Sequence, residues 1–281
     1  MIQYHPQKCL LCSSEKSETI IVFHSPDQYE TSIGVEPDGY FRRWVCCSDC
    51  GFYYSQYSRA DGMIEKIYQN AYRNKGAAWR SVDAFQTFNN IIQLPEEESE
   101  TKARVKWIKN RLETLCNCGL SGNPGGLLLD IGGGNGIFAY EFMDDIWRSY
   151  VMDPDENGLF IKERLGMPFV HGSYKSGSFD VKFDIISLIF VLEHLSRPDI
   201  ILKDIRNDMQ KDCFIYIEVP DAICFDKKDH RDDIFNSCHL WMFSPHSLTR
   251  LLYICGFEVF ILERMRTKRG HFALMILAGL R

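Results

Sequence analysis

The stretch Leu127-Leu-Leu-Asp-Ile-Gly-Gly-Gly-Asn-Gly-Ile-Phe138 decides how the chain is read. An apolar run ends on an acid, crosses a glycine-rich turn and re-enters a helical pattern. Leu127–Ile131 reads as a buried strand and Ile137–Asp145 as a helix. Glycines let the backbone turn sharply and approach a ligand. In open α/β sheets, ligands bind beyond the carboxyl ends of the strands, where this turn falls. Gly132 and Gly134 fit the first two positions of the dinucleotide pattern G-x-G-x-x-G, but Ile137 stands at the third. A phosphate-binding loop would end in Gly-Lys-Ser/Thr, which is missing here. Asp130 would repel a pyrophosphate and could accept hydrogen bonds from an amino-acid ammonium. The turn therefore favours a ligand with an aminoacyl end.

Outward from this turn, strands and helices alternate. Ser149–Met152, Phe169–His171, Phe183–Phe190 and Cys213–Val219 read as strands, with helices at Glu156–Leu165, Pro198–Met209 and Ser244–Cys255. Glu258–Met265 and Phe272–Ala278 are joined by a turn short enough only for an antiparallel hairpin. The pattern predicts an α/β fold with a mostly parallel, doubly wound sheet. Asp153 follows the second strand, where an acid can accept both hydroxyls of a ribose. An aminoacyl end plus a nucleoside describes S-adenosylmethionine (SAM).

The cysteines follow a second pattern. Cys9-Leu-Leu-Cys12 and Cys47-Ser-Asp-Cys50 are two C-x2-C pairs near the start of the chain. Four thiolates suit tetrahedral Zn2+ and leave no open position, so the predicted role is structural. Cys46 competes with Cys47 as a ligand, at a less regular spacing. Three regions are predicted: a zinc ribbon over 1–60, a helical connecting segment over 61–123, and the cofactor domain over 124–281. Ser121-Gly-Asn-Pro-Gly-Gly126 marks the second boundary.

Composition excludes other classes. The chain has 281 residues, 45% hydrophobic and 25% charged, so it can bury a core without disulfides. The formal charge of -6 gives no basic face for non-specific nucleic-acid binding. Ile185–Leu192 and Phe272–Leu280 are too short to span a bilayer, and Met1–Gln7 lacks a signal peptide's apolar stretch. The expected compartment is the cytoplasm, with no nucleic-acid partner and no membrane span.

The motifs at Asp130–Gly136, Asp153 and Phe183–His194 resemble class I SAM-dependent methyltransferases over residues 124–281. The resemblance implies a Rossmann-like seven-stranded sheet whose last hairpin is antiparallel. It places Gly132, Gly134 and Gly136 beneath the methionine part, Asp153 on the ribose, and Leu188 and Phe190 near the cofactor. Where the family often has an acid facing the adenine amine, this chain has Gly172-Ser173-Tyr174, and Ser173 offers a weaker contact. With the cysteine pairs in front, the chain is similar to sugar methyltransferases that carry an N-terminal zinc-binding domain. Ile67–Arg73, Ser99–Arg104 and His239-Leu-Trp-Met-Phe-Ser244 resemble segments of that group. The implied acceptor is a nucleotide sugar or a surface-glycan intermediate.

Methyl transfer to a hydroxyl needs alignment and a base, and histidine suits neutral pH. His239 and His194 are the candidates, with His239 favoured on the resemblance. Glu193 can orient His194 or fix its loop. Sugar enzymes of the group often place Glu before the histidine matching His239, whereas this chain has Cys238. Tyr68 and Tyr72 are candidates for closing the substrate pocket, and the charged, irregular stretch Asp221–Asn236 reads either as a solvated loop or as shaping that pocket. Two other functions stay open: an RNA methyltransferase gripping RNA with the ribbon, and a non-catalytic SAM-binding scaffold.

Overall fold

The computed structural model describes residues 8–57, 83–119, 125–268 and 270–281. Their strands are, in chain order, β1 (Ser17–Phe23), β2 (Arg42–Cys47), β3 (Tyr53–Tyr57), β4 (Gly126–Ile131), β5 (Trp147–Asp153) and β6 (Phe169–His171). Then follow β7 (Phe183–Ile189), β8 (Met209–Pro220), β9 (Trp241–Met242), β10 (Phe257–Arg266) and β11 (Phe272–Leu280). The helices are α1 (Gln28–Ser32), α2 (Ala84–Ile92), α3 (Glu100–Asn117), α4 (Ile137–Phe142), α5 (Leu159–Leu165), α6 (Pro198–Ile205) and α7 (Pro245–Ile254). They belong to two compact units.

One unit joins the N-terminal region to residues 192–198 and 219–251. Its sheet has the order β1-β2-β3-β9 and is antiparallel throughout. Asp27 starts α1 by accepting from the backbone of Tyr29 and Glu30, while Glu30 bonds back, a capping box. On one side of the sheet Trp44 packs edge-on against Phe225, their rings 5.0 Å apart, with Phe235 and Met242 beside them. Phe52 stacks on Trp241 at 5.7 Å. The stretch Asp221–Asn236 was expected to be a charged, solvated loop. Phe225, Ile234 and Phe235 instead enter the core. The Arg42 guanidinium, itself buried, donates to the Phe235 carbonyl at 2.6 Å. Asp27 accepts from the Ser237 backbone at 2.6 Å and from its hydroxyl at 2.9 Å.

The other unit holds the seven-stranded sheet, in the order β10-β11-β8-β7-β4-β5-β6. β4 pairs in parallel with both β5 and β7. From β4 the chain winds through β5 and β6, then returns to lay β7 and β8 on the opposite side. The carboxyl end of β4 is therefore a topological switch point, where open α/β sheets bind ligands. β10 and β11 pair antiparallel, as the sequence implied. Val105, Ile108, Leu112 and Leu115 recur at helical spacing along α3 and join Phe138, Phe142 and Leu128 in one core. Helix α6 ends at Ile205, short of the expected Met209. Asp208 breaks it, accepting from the Tyr174 hydroxyl at 2.6 Å and the Gly177 backbone at 2.9 Å. Among the described residues no helix is long and apolar enough to cross a membrane.

Candidate active site

The glycine turn begins where β4 ends. Gly132 donates to the Met152 carbonyl at 2.8 Å, and Gly136 sits at the head of α4 in a left-handed conformation. Gly134 has φ +56, and a Cβ there would meet nothing within 4 Å. The backbone thus turns as only glycine does readily, beside open space. The Gly134 N–H is held by Asp153 Oδ2 at 2.8 Å, and the other oxygen of Asp153 holds the Asp155 N–H at 2.7 Å. The expected ribose acid therefore also clamps the turn.

Asp130 lies beneath the turn. A Cβ on Gly133 would stand 2.6 Å from its carboxylate, so the residue there must lack a side chain. The Ser187 hydroxyl donates to Asp130 Oδ1 at 2.7 Å. Burial pushes the Asp130 carboxyl up to about 7, against the opposing pull of Ser187 and of the Arg104 charge. Ser187 was not among the expected site residues. Its signal was present: it is the hydroxyl interrupting an apolar strand, directly across from Asp130 in register.

Leu188 is fully buried in the sheet between Ile131 and Ile217. Phe190, just past β7, has φ +53 and donates to the Glu218 carbonyl at 2.8 Å. A bulky residue in the left-handed region costs about 1–3 kcal/mol, and such strain clusters at functional sites. Ser173 follows β6 in an exposed bend.

Sequence reasoning missed the ion pair of Arg104 with Glu218. The Arg104 Nε donates to Glu218 Oε2 and its Nη2 to Oε1 at 2.8 Å, a bidentate grip. The Tyr216 hydroxyl adds a third bond to Glu218 at 2.8 Å. Both charged groups are buried. Arg104→Met is expected to leave the Glu218 carboxylate buried without its counter-charge and to cost about 3–5 kcal/mol in urea denaturation. A loss below about 1 kcal/mol would refute this dependence of Glu218 on Arg104.

In the first unit, Cys9, Cys12, Cys47 and Cys50 bring their sulfurs within 4.8 Å of one another. Cys9 and Cys50 are 3.5 Å apart, as are Cys12 and Cys47. A thiolate tetrahedron around Zn2+ has edges of about 3.8 Å, so the donor set fits. The two pairs lie in matching turns: Ser13 donates to the Cys9 carbonyl and Gly51 to the Cys47 carbonyl, both at 2.8 Å. The cluster takes Cys47 rather than Cys46, and no disulfide links the described cysteines.

The same unit brings His194 and His239 together, with ring centroids 4.9 Å apart. His194 Nδ1 lies 2.9 Å from the Cys238 carbonyl, and His239 Nδ1 lies 2.7 Å from the Ile234 carbonyl. A carbonyl only accepts, so each Nδ1 carries the hydrogen and each neutral ring keeps its basic electron pair on Nε2. Burial lowers the His239 pKa below its ordinary value, keeping the ring neutral at physiological pH. Backbone bonds tie this pair to the sheet: Ser55 donates to the Leu240 carbonyl at 2.9 Å, and Leu240 donates to the Glu193 carbonyl at 2.8 Å. Tyr68 and Tyr72 lie outside the described residues.

Residues 100–260, more than half of the chain, match the family model of a methyltransferase domain. The chain belongs to that family. A SAM-dependent methyltransferase from Clostridium acetobutylicum has a similar solved structure, with a TM-score of 0.52 and 10% identity over 70% of this chain and 98% of that one. The 1,6-didemethyltoxoflavin-N1-methyltransferase of Burkholderia thailandensis gives a TM-score of 0.51 at 17% identity, covering 83% of this chain and 97% of the other. At such identities the likeness is one of fold. No curated protein matches the sequence. The protein is a SAM-dependent methyltransferase of the class I fold.

Proposed function

We propose that this methyltransferase acts on a sugar hydroxyl, in a nucleotide sugar or a surface-glycan intermediate. The observation that carries the reading is the histidine pair, held with both basic nitrogens on Nε2. A hydroxyl must lose its proton on methylation, and a neutral imidazole can take it. SAM supplies a methyl carbon on a positive sulfonium. The turn at Gly132, Gly134 and Gly136 holds its methionine end, Asp130 its ammonium and Asp153 its ribose. Phe190 and Ser173 border the cofactor. Bound there, SAM would supply the methyl group, and His239 Nε2 would take the proton that the sugar hydroxyl loses. His194 and Glu193 flank that nitrogen. The four cysteines hold a structural Zn2+, and the protein works in the cytoplasm, where thiols stay reduced.

The test is an acceptor screen with purified enzyme, SAM and a panel of nucleotide sugars, read by mass spectrometry. A methylated sugar formed one-for-one with S-adenosylhomocysteine is the expected result. Methylated RNA with unmodified sugars would replace this reading by an RNA enzyme. SAM binding with no acceptor at all would point to a scaffold.

Asp130 gives the cofactor site a pH dependence. Its carboxyl titrates at about 7 without cofactor, and an ammonium beside it favours the ionised form. Binding below pH 7 must therefore release a proton, and affinity falls as pH drops, by about tenfold per unit. Calorimetry at pH 6 and pH 8, in buffers of different ionisation heat, reads both effects. Equal affinity at the two values would remove Asp130 from the ammonium.

A further inference from the structure

Glu193, His194 and His239 place one ligand atom each within 4.8 Å of one another. Glu193 Oε1 lies 3.7 Å from His194 Nε2. Each histidine has its Nδ1–H turned onto a backbone carbonyl. That is the arrangement of metal-binding histidines, in which the outer bond fixes the tautomer and aims the other nitrogen at the ion. Two imidazole nitrogens and a carboxylate oxygen suit divalent transition metals, whereas the cysteine cluster offers only sulfur. Glu193 and His194 are buried, while His239 keeps partial contact with solvent, which leaves an ion a way in.

We infer that Glu193, His194 and His239 form a second metal site, which binds a divalent transition-metal ion such as Zn2+ through two nitrogens and one oxygen. With bonds of about 2.1 Å, a tetrahedral ion spaces its ligands by about 3.4 Å, so the three side chains close on it by about one ångström. Three protein ligands leave a fourth position open. The functional consequence rests on the methyl-transfer reading above. An ion on both Nε2 atoms occupies the electron pair that takes the hydroxyl proton, so occupancy of this site inhibits turnover.

The experiment starts from protein carrying one equivalent of Zn2+ on its cysteines and adds Co2+. Cobalt bound by thiolates shows sulfur-to-metal charge transfer in the near ultraviolet, which a nitrogen–oxygen site lacks. The expected result is a second equivalent by elemental analysis, with visible d–d bands and no new thiolate band. His194→Gln and His239→Gln should each weaken it by at least about the 10–100-fold that losing an outer partner costs. The first equivalent stays bound in both variants and reports that the unit is folded. Wild-type protein that stops at one equivalent would overturn the site, as would a second equivalent that binds the double variant equally well. In the wild type, Zn2+ should slow turnover as the second equivalent fills, and a weak chelator should restore it. Filling without inhibition would overturn the consequence. Failure of the base reading shows separately, as turnover that survives loss of His239.

Discussion

Removing metal from Cys9, Cys12, Cys47 and Cys50 is expected to unfold the unit built on β1, β2, β3 and β9. Zinc binding in small cysteine sites is worth about 10–16 kcal/mol at neutral pH, and that free energy is largely folding free energy. The sheet here has short strands, and β9 contributes only two residues. Without the ion, the clustered sulfurs add little cohesion of their own. The histidine pair depends on this sheet through the bonds Ser55 to Leu240 and Leu240 to Glu193. Chelation or the double substitution Cys12→Ser, Cys47→Ser should therefore abolish turnover. Limited trypsin digestion should then cut at Arg42 and Arg43, which lie inside β2. Unchanged protection in protein shown to have lost its zinc would refute a structural role for the metal.

The second large effect is expected from His239→Ala. A positioned base contributes about 10²–10⁴ in rate, so kcat should fall by that factor while SAM affinity holds. The pH profile adds a readout that simple misfolding would not give. Imidazolium cannot take a proton, so activity disappears as pH falls through the pKa of His239. Burial holds that pKa below 6.5, so the acid limb of the wild-type profile should lie below pH 6.5. Turnover within about threefold of the wild type would remove His239 as the base.

The parts legible in the sequence were those with local signatures. The turn Asp130–Gly136 announced itself because glycine placement is a backbone requirement, and the structure puts it at the end of β4. The two C-x2-C pairs were legible for the same reason. The parts that escaped depend on distant partners. β9 is two residues long and exists because Tyr53 and Tyr54 pair with Met242 and Trp241. Arg104 meets Glu218 across 114 positions, which no spacing rule reveals. The segment Asp221–Asn236 looked solvated because its charges outnumber its apolar residues, yet Phe225, Ile234 and Phe235 anchor it. Tyr53–Tyr57 went unread because it is short and lacks a decisive period, whereas Ala84–Ile92 falls within the segment read as helical.

Calorimetric titration of the zinc-loaded protein with SAM and S-adenosylhomocysteine at pH 8 tests the cofactor assignment most directly. Micromolar binding of both, lost in Asp153→Ala, is the expected result, because Asp153 clamps Gly134 and is the acid proposed to hold the ribose. Folded protein that binds neither would contradict the reading of the glycine turn as a cofactor site.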